Sequence, residues 1–262
     1  MDKEITTTFH SVPPAVPLGL KTRSGFNPDS SARPTGLLFF VNGEKQGACT
    51  ASLVNSSSKK LVMTAAHCLH GGSGSGWYTK FMFVPNASPS GGNTQMYAMG
   101  TARVFTDWIN NANTQSLSVY DVPNDIGFIS VSSVMPDYLG KPVEVFGGHG
   151  FGHSNLGSFT ARIVGYPKNP GNNKDPQSCV TKVETLYPFN MDDVLKASGC
   201  SFVDAHGASG SPWLELYDEN TGIGWANGVL SAVPSQEHTL LSPRFNDRVY
   251  KLYNEANNDG LQ

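Results

Sequence analysis

The chain is poor in charge and has no concentration of one sign. Only 15% of its 262 residues are charged, the 18 Lys and Arg are outnumbered by 21 Asp and Glu, and no basic stripe runs through it. A nucleic-acid partner is therefore not expected. No stretch approaches the roughly 20 apolar residues needed to cross a bilayer. The longest apolar run near the start, Leu37-Leu38-Phe39-Phe40-Val41, has strand length, so no membrane partner is expected either. The opening MDKEITTTFH lacks an apolar h-region, and no secretory signal is visible in it. CxxC pairs and Cys/His clusters with zinc-finger spacing are also missing, which leaves no structural metal and no cofactor to expect.

What the sequence does have suits a folded β protein. A hydrophobic content of 39% fits an ordinary globule. The 28 glycines and 17 prolines are scattered without a period, as in a chain of short strands and turns. Cys49, Cys68, Cys179 and Cys200 admit three pairings. Asn55-Ser56-Ser57 and Asn86-Ala87-Ser88 have the form of glycosylation sequons, a form too common to decide anything.

Residues 1–35 are rich in Pro, Ser and Thr and read as an extended arm. From 36 to 134, β-rich runs alternate with turn clusters: GLLFFV, CTASLV, KLVMTAA, YTKFMFVP, MYAMGTARVF and IGFISV. A Pro/Gly-bearing linker at 135–145 leads into a second β series that ends near 241. In 242–262, Phe245, Val249, Leu252 and Tyr253 recur at helical offsets, with Ser242 as the expected N-cap and Pro243 as the first helical residue. The expected fold is all-β, two six-stranded antiparallel barrels followed by a C-terminal α-helix.

Three short motifs carry the chemistry, and each is bland alone. Thr64-Ala65-Ala66-His67-Cys68 closes a β run, and a lone histidine there is usually a packing residue. Asn124-Asp125-Ile126-Gly127-Phe128-Ile129 places an acid before an apolar strand, where it is usually a turn residue. His206-Gly207-Ala208-Ser209-Gly210-Ser211-Pro212-Trp213 is a glycine-rich turn holding a serine. Asp107, Asp121 and Asp137 compete with Asp125, but only Asp125 combines a preceding turn, a following apolar strand and a plausible distance from both other motifs.

Taken together and in this order, the motifs resemble the trypsin/chymotrypsin-like serine peptidases. TAAHC resembles the histidine motif, NDIGFI the aspartate strand and GASGSPW the serine motif, over roughly residues 36–255. The resemblance implies that Ser209 is a nucleophile, His67 its base and Asp125 the group that orients His67, with Gly207 and Ser209 N–H groups forming an oxyanion hole. It implies a secreted endopeptidase acting on protein or peptide substrates through an acyl-enzyme, and a monomer is expected. The bridges Cys49–Cys68 and Cys179–Cys200 are expected because each pair falls within one candidate barrel, and the first matches the family's bridge beside the histidine. An α/β-hydrolase is disfavoured because Ser211 breaks Gly-x-Ser-x-Gly. The contrasting reading is a catalytically silent member of the fold that binds a partner through its cleft.

The departures are informative too. Ala208 stands where many trypsin-like enzymes carry the aspartate that pairs with a new N-terminus, so the oxyanion turn is expected to be held by packing instead. The pattern is closer to microbial secreted members, including the glutamyl-endopeptidase-like branch. The resemblance puts the pocket base at Val203, with Asp204 one position later. His206 sits near the pocket mouth, and Ser231-Ala232-Val233 resembles the strand that pairs with substrate backbone, with the Val233 side chain narrowing the pocket. His149 and His153 stand four apart, but the glycines around them argue against a helical metal site. The apparent pKa of the base is expected near the ordinary ~6.5.

Overall fold

The computed structural model describes residues 9–17, 33–88, 95–114, 116–135, 140–153, 158–168, 175–186, 193–200, 206–233 and 239–261. Six strands close into the first barrel: β2 (Thr35–Asn42), β3 (Lys45–Leu53), β4 (Leu61–Thr64), β5 (Thr79–Pro85), β6 (Met96–Val104) and β7 (Gly127–Met135), hydrogen-bonded in the order β2-β3-β4-β7-β6-β5. Period-2 alternation sorts their side chains. On β7, Ile129 points into the barrel with Leu38, Leu53 and Phe83, while the neighbouring Phe128 points out, against Phe151 and Tyr253.

The second half is an eight-stranded sheet. Its order is β1 (Phe9–Val12), β8 (Gly150–His153), β13 (Ile223–Val229), β12 (Pro212–Asp218), β9 (Ser158–Gly165), β10 (Gln177–Thr185), β11 (Val194–Ser198) and β14 (Thr239–Pro243). The six strands β9 to β14 correspond to the expected second barrel. Their ends meet just past β13, where Ser231 N–H donates to the Leu241 carbonyl (2.9 Å) and Leu241 N–H to Ala232 (2.8 Å). The other two strands extend one edge: β8 runs parallel to β13, and the N-terminal arm adds β1 antiparallel to β8. Within the 135–145 linker a short helix α2 (Pro142–Phe146) begins, following α1 (Thr106–Asn111) in the chain.

The C-terminal helix α3 spans Asp247–Asp259, four residues later than the Ser-Pro signal indicates. Asn246 is its N-cap, the side-chain oxygen accepting from Arg248 N–H (3.0 Å) and Val249 N–H (3.2 Å). Ser242 and Pro243 instead close β14, paired with Leu195 and Val194, and the Ser242 hydroxyl accepts from Val229 N–H (2.8 Å). The strand has priority because it completes the sheet, and Asn246 supplies the same capping chemistry nearer the first apolar turn. Val249, Leu252, Tyr253 and Ala256 bury one face of α3 in the core between the two halves.

Candidate active site

Strand register brings the first two motifs together. In the β4–β7 pair, Thr64 lies opposite Gly127, at the end of one strand and the start of the other. His67 follows three residues beyond that point on a 3₁₀ turn (Ala66–Cys68), and Asp125 precedes it by two, after the 3₁₀ turn Val122–Asn124. Antiparallel pairing thus places residues distant in sequence at one rim of the barrel.

Asp125 is fully buried and accepts three hydrogen bonds. His67 backbone N–H reaches Oδ1 at 2.8 Å, His67 Nδ1 reaches Oδ2 at 2.7 Å, and the Ser231 hydroxyl donates to Oδ2 at 2.6 Å. A carboxylate only accepts, so the imidazole proton resides on Nδ1 and the lone pair on Nε2. Burial by itself lowers the His67 pKa, but the charge and hydrogen bond of Asp125 outweigh it and leave the value raised. The ring is 16% exposed and lies against Trp108, centroid to centroid 6.4 Å. Trp108 is itself buried and tied to the His70 carbonyl by its indole N–H (3.0 Å).

The third motif forms a turn over 206–210 leading into β12. Gly207 and Gly210 have φ of +88° and +86°, where L side chains are strained. Space imposes the same choice: a Cβ on Gly207 would lie 2.7 Å from the Tyr166 carbonyl, and one on Gly210 would collide with the Thr50 carbonyl and Thr64 Oγ1. Every carbonyl from His206 to Ser209 is hydrogen-bonded. Lys168 N–H donates to His206 (2.6 Å), Thr50 Oγ1 to Gly207 (2.9 Å), Ser211 N–H to Ala208 (3.0 Å) and Thr50 N–H to Ser209 (2.8 Å). By contrast, no N–H group of residues 207–209 finds an acceptor among the described residues.

The turn reaches the histidine motif through the disulfide. Cys68 Sγ, next to His67 in sequence, lies 3.9 Å from the Ser209 carbonyl oxygen. Ser209 is half-buried, and among the described residues its hydroxyl forms no hydrogen bond with His67.

Both expected disulfides are present, Cys49–Cys68 and Cys179–Cys200, with Cα–Cα separations of 6.2 and 5.7 Å. Cys49, His67 and Cys68 are the one His/Cys group among the described residues close enough to hold a metal ion, but the two sulfurs are spent on each other and His67 on Asp125. His149 and His153 diverge. His149 is fully buried, its Nδ1 accepting from Gly224 N–H (3.3 Å) and its Nε2 3.1 Å from Thr35 Oγ1, whereas the His153 ring stacks on Tyr250 with Nε2 3.2 Å from Asp247. Among the rival acids, Asp107 pairs with Arg248 and Asp121 accepts from Ser118, both on the surface; Asp137 lies outside the described residues.

The specificity candidates separate. Val203 and Asp204 lie outside the described residues. His206 is exposed, and Val233 is 38% exposed beside Ser231. The Ser231 side chain is buried on Asp125, a contact its expected place on the substrate strand does not announce. Its carbonyl accepts nothing among the described residues. Thr50, which anchors the serine turn at two carbonyls, has no sequence signal beyond its place after Cys49.

No protein-family model matches the sequence, and no curated protein matches it. Solved structures do. The protease Anisep from Arthrobacter nicotinovorans superposes with a TM-score of 0.72 at 24% identity, over 87% of this chain and 97% of its own. The thermostable serine protease AL20 from an extremophilic microorganism gives 0.72 at 22% identity, over 88% and 99%. A Glu endopeptidase gives 0.65 at 16% identity, over 94% and 97%. The chain has the trypsin-like serine-protease fold.

Proposed function

We propose that this trypsin-fold chain is a serine endopeptidase in which Ser209 attacks the substrate carbonyl with His67 as base. His67 Nε2 takes the hydroxyl proton as the Ser209 Oγ–carbon bond forms, and returns it to the leaving amine as the peptide C–N bond breaks. Water then repeats the sequence on the acyl-enzyme, releasing the acid and regenerating Ser209. Asp125 keeps the proton on Nδ1 and stabilises the imidazolium. The Gly207 and Ser209 N–H groups, which find no acceptor among the described residues, serve the carbonyl oxygen as it becomes an oxyanion. The observation that carries this reading is the coupling of a triply hydrogen-bonded, buried Asp125 to His67 on the same rim as that turn.

Ser231 and Val233 supply a substrate-pairing edge, the Ser231 carbonyl, which accepts from none of the described residues, accepting a substrate N–H. Among the described residues no helix is long and apolar enough to cross a membrane. Two disulfides suit an oxidising compartment, and secretion is part of the proposal. A fluorophosphonate is expected to label the native protein and spare Ser209→Ala, and mass-spectrometric mapping of a peptide library is expected to show cleavage. A folded native protein that is neither labelled nor active supports the silent, partner-binding reading instead.

A further inference from the structure

The turn carrying Ser209 has no carboxylate at position 208. Ala208 is fully buried among Cys200, Trp213 and Leu230, an apolar setting with no carboxylate in it among the described residues. What the turn has instead is Ser211. Its N–H closes the turn on the Ala208 carbonyl at 3.0 Å, and its hydroxyl donates to the same oxygen at 2.6 Å. Ser211 is completely buried, and its Oγ lies so close to where a Cβ on Gly165 would stand that the two would collide. The hydroxyl therefore fits only because the end of β9 is glycine.

The Ala208 carbonyl belongs to the same peptide plane as Ser209 N–H. In a trans peptide the two point in opposite directions. Two donors that hold the carbonyl inward therefore hold Ser209 N–H outward, toward the side where it has no acceptor among the described residues. Lys168 N–H does the equivalent for Gly207 N–H through the His206 carbonyl. Resting on the peptidase reading above, we propose that Ser211 is a positioning residue whose hydroxyl, through the Ala208 carbonyl, aims the Ser209 N–H at the oxyanion.

The test compares wild type with Ser211→Ala, using a peptide substrate and a peptidyl aldehyde whose hemiacetal oxygen occupies the oxyanion site. Direct removal of an oxyanion donor costs about 10²–10³ in rate, and loss of aim alone is expected to lower kcat by roughly 10-fold to 10²-fold. KM is expected to stay within about twofold, and aldehyde affinity to fall in step with kcat. A purely structural role would not weaken the aldehyde selectively. Gly165→Ala, which displaces the Ser211 hydroxyl without altering Ser211, is expected to give the same pattern, and the double variant to lose no more than the worse single one. Wild-type kcat and aldehyde affinity in Ser211→Ala, or multiplicative losses in the double variant, overturn the inference while leaving the peptidase reading intact. A wild type that neither cleaves peptides nor reacts with a fluorophosphonate overturns both.

Discussion

Thr50 holds Ser209 from across the boundary between the two halves of the molecule: its N–H donates to the Ser209 carbonyl at 2.8 Å, from β3 of the closed barrel. Its hydroxyl donates to the Gly207 carbonyl (2.9 Å) and accepts from Tyr166 N–H (2.9 Å). Its carbonyl accepts from Thr64 Oγ1 (2.8 Å), close to His67. One residue thus ties the serine turn to the strand that delivers the histidine. Thr50→Val keeps the shape and removes the hydroxyl, leaving two buried backbone groups short of a partner. It is expected to cost about 1–3 kcal/mol in chemical denaturation and to lower kcat, with retained wild-type values in both counting against the anchor.

The pH dependence follows from the raised His67 pKa. In the proposed mechanism His67 is the base and must be neutral, so kcat/KM should fall on acidification through an apparent pKa above the ordinary ~6.5, higher than the sequence suggests. Stability moves the other way. A group whose folded pKa is raised stabilises fully below the unfolded value, and that contribution is lost as pH rises through the folded one. An acid limb at or below ~6.5 in a pH–rate profile would contradict this coupling.

Asp125→Asn is expected to fold and to lose about four orders of magnitude in kcat, by analogy with other triads, because the proton is no longer held on Nδ1. Ser231→Ala removes one of three donors to the same carboxylate. A loss of about 1–3 kcal/mol of stability is expected, with a smaller kinetic effect than Asp125→Asn. Steady-state kinetics beside thermal melts separate the two.

His149 gives stability the opposite slope on the acid side. Burial lowers its pKa to about 3, so between about 6.5 and that value the unfolded chain binds a proton the folded chain refuses. Stability should fall with acid by up to about 1.4 kcal/mol per pH unit from this group. His149→Gln is expected to flatten that slope in denaturant titrations at pH 7, 5 and 4. An unchanged slope would assign the acid sensitivity elsewhere.

The disulfides should differ in function while resembling each other in stability. They are separated by 19 and 21 residues, and by loop-closure entropy each contributes about 3 kcal/mol. Replacing Cys49 and Cys68 with alanine also removes the sulfur packed on the Ser209 carbonyl, so activity should fall with stability. Replacing Cys179 and Cys200 is expected to cost stability with a smaller loss of kcat when both are assayed well below their melting temperatures. Equal kinetic losses would show that the first bridge has no special link to the serine turn.

Much of this architecture was legible in the chain because it rests on local chemistry. Alternating apolar runs marked the strands, and glycine at 207 and 210 marked a turn that only glycine can make. The lobes of the four cysteines suggested both bridges, and the order of His67, Asp125 and Ser209 named the candidate site. The helix start was misplaced because Ser242-Pro243 and Asn246 offer similar local signals, and only the demands of sheet pairing choose between them. The arm before residue 36 hid a strand, since β1 exists only against β8.

The sequence by itself determined which residue types were available at the rim and which conformations the backbone could adopt there. Tertiary structure alone decided what those groups face: Ser231 turned onto Asp125, Thr50 spanning to the serine turn, and Ser211 seated over Gly165. The first two are hydrogen bonds between residues 106 and 157 apart in the chain, and the third is a steric fit between the end of β9 and the residue before β12. Their directions depend on strand register and peptide-plane orientation, which no local pattern of residues encodes.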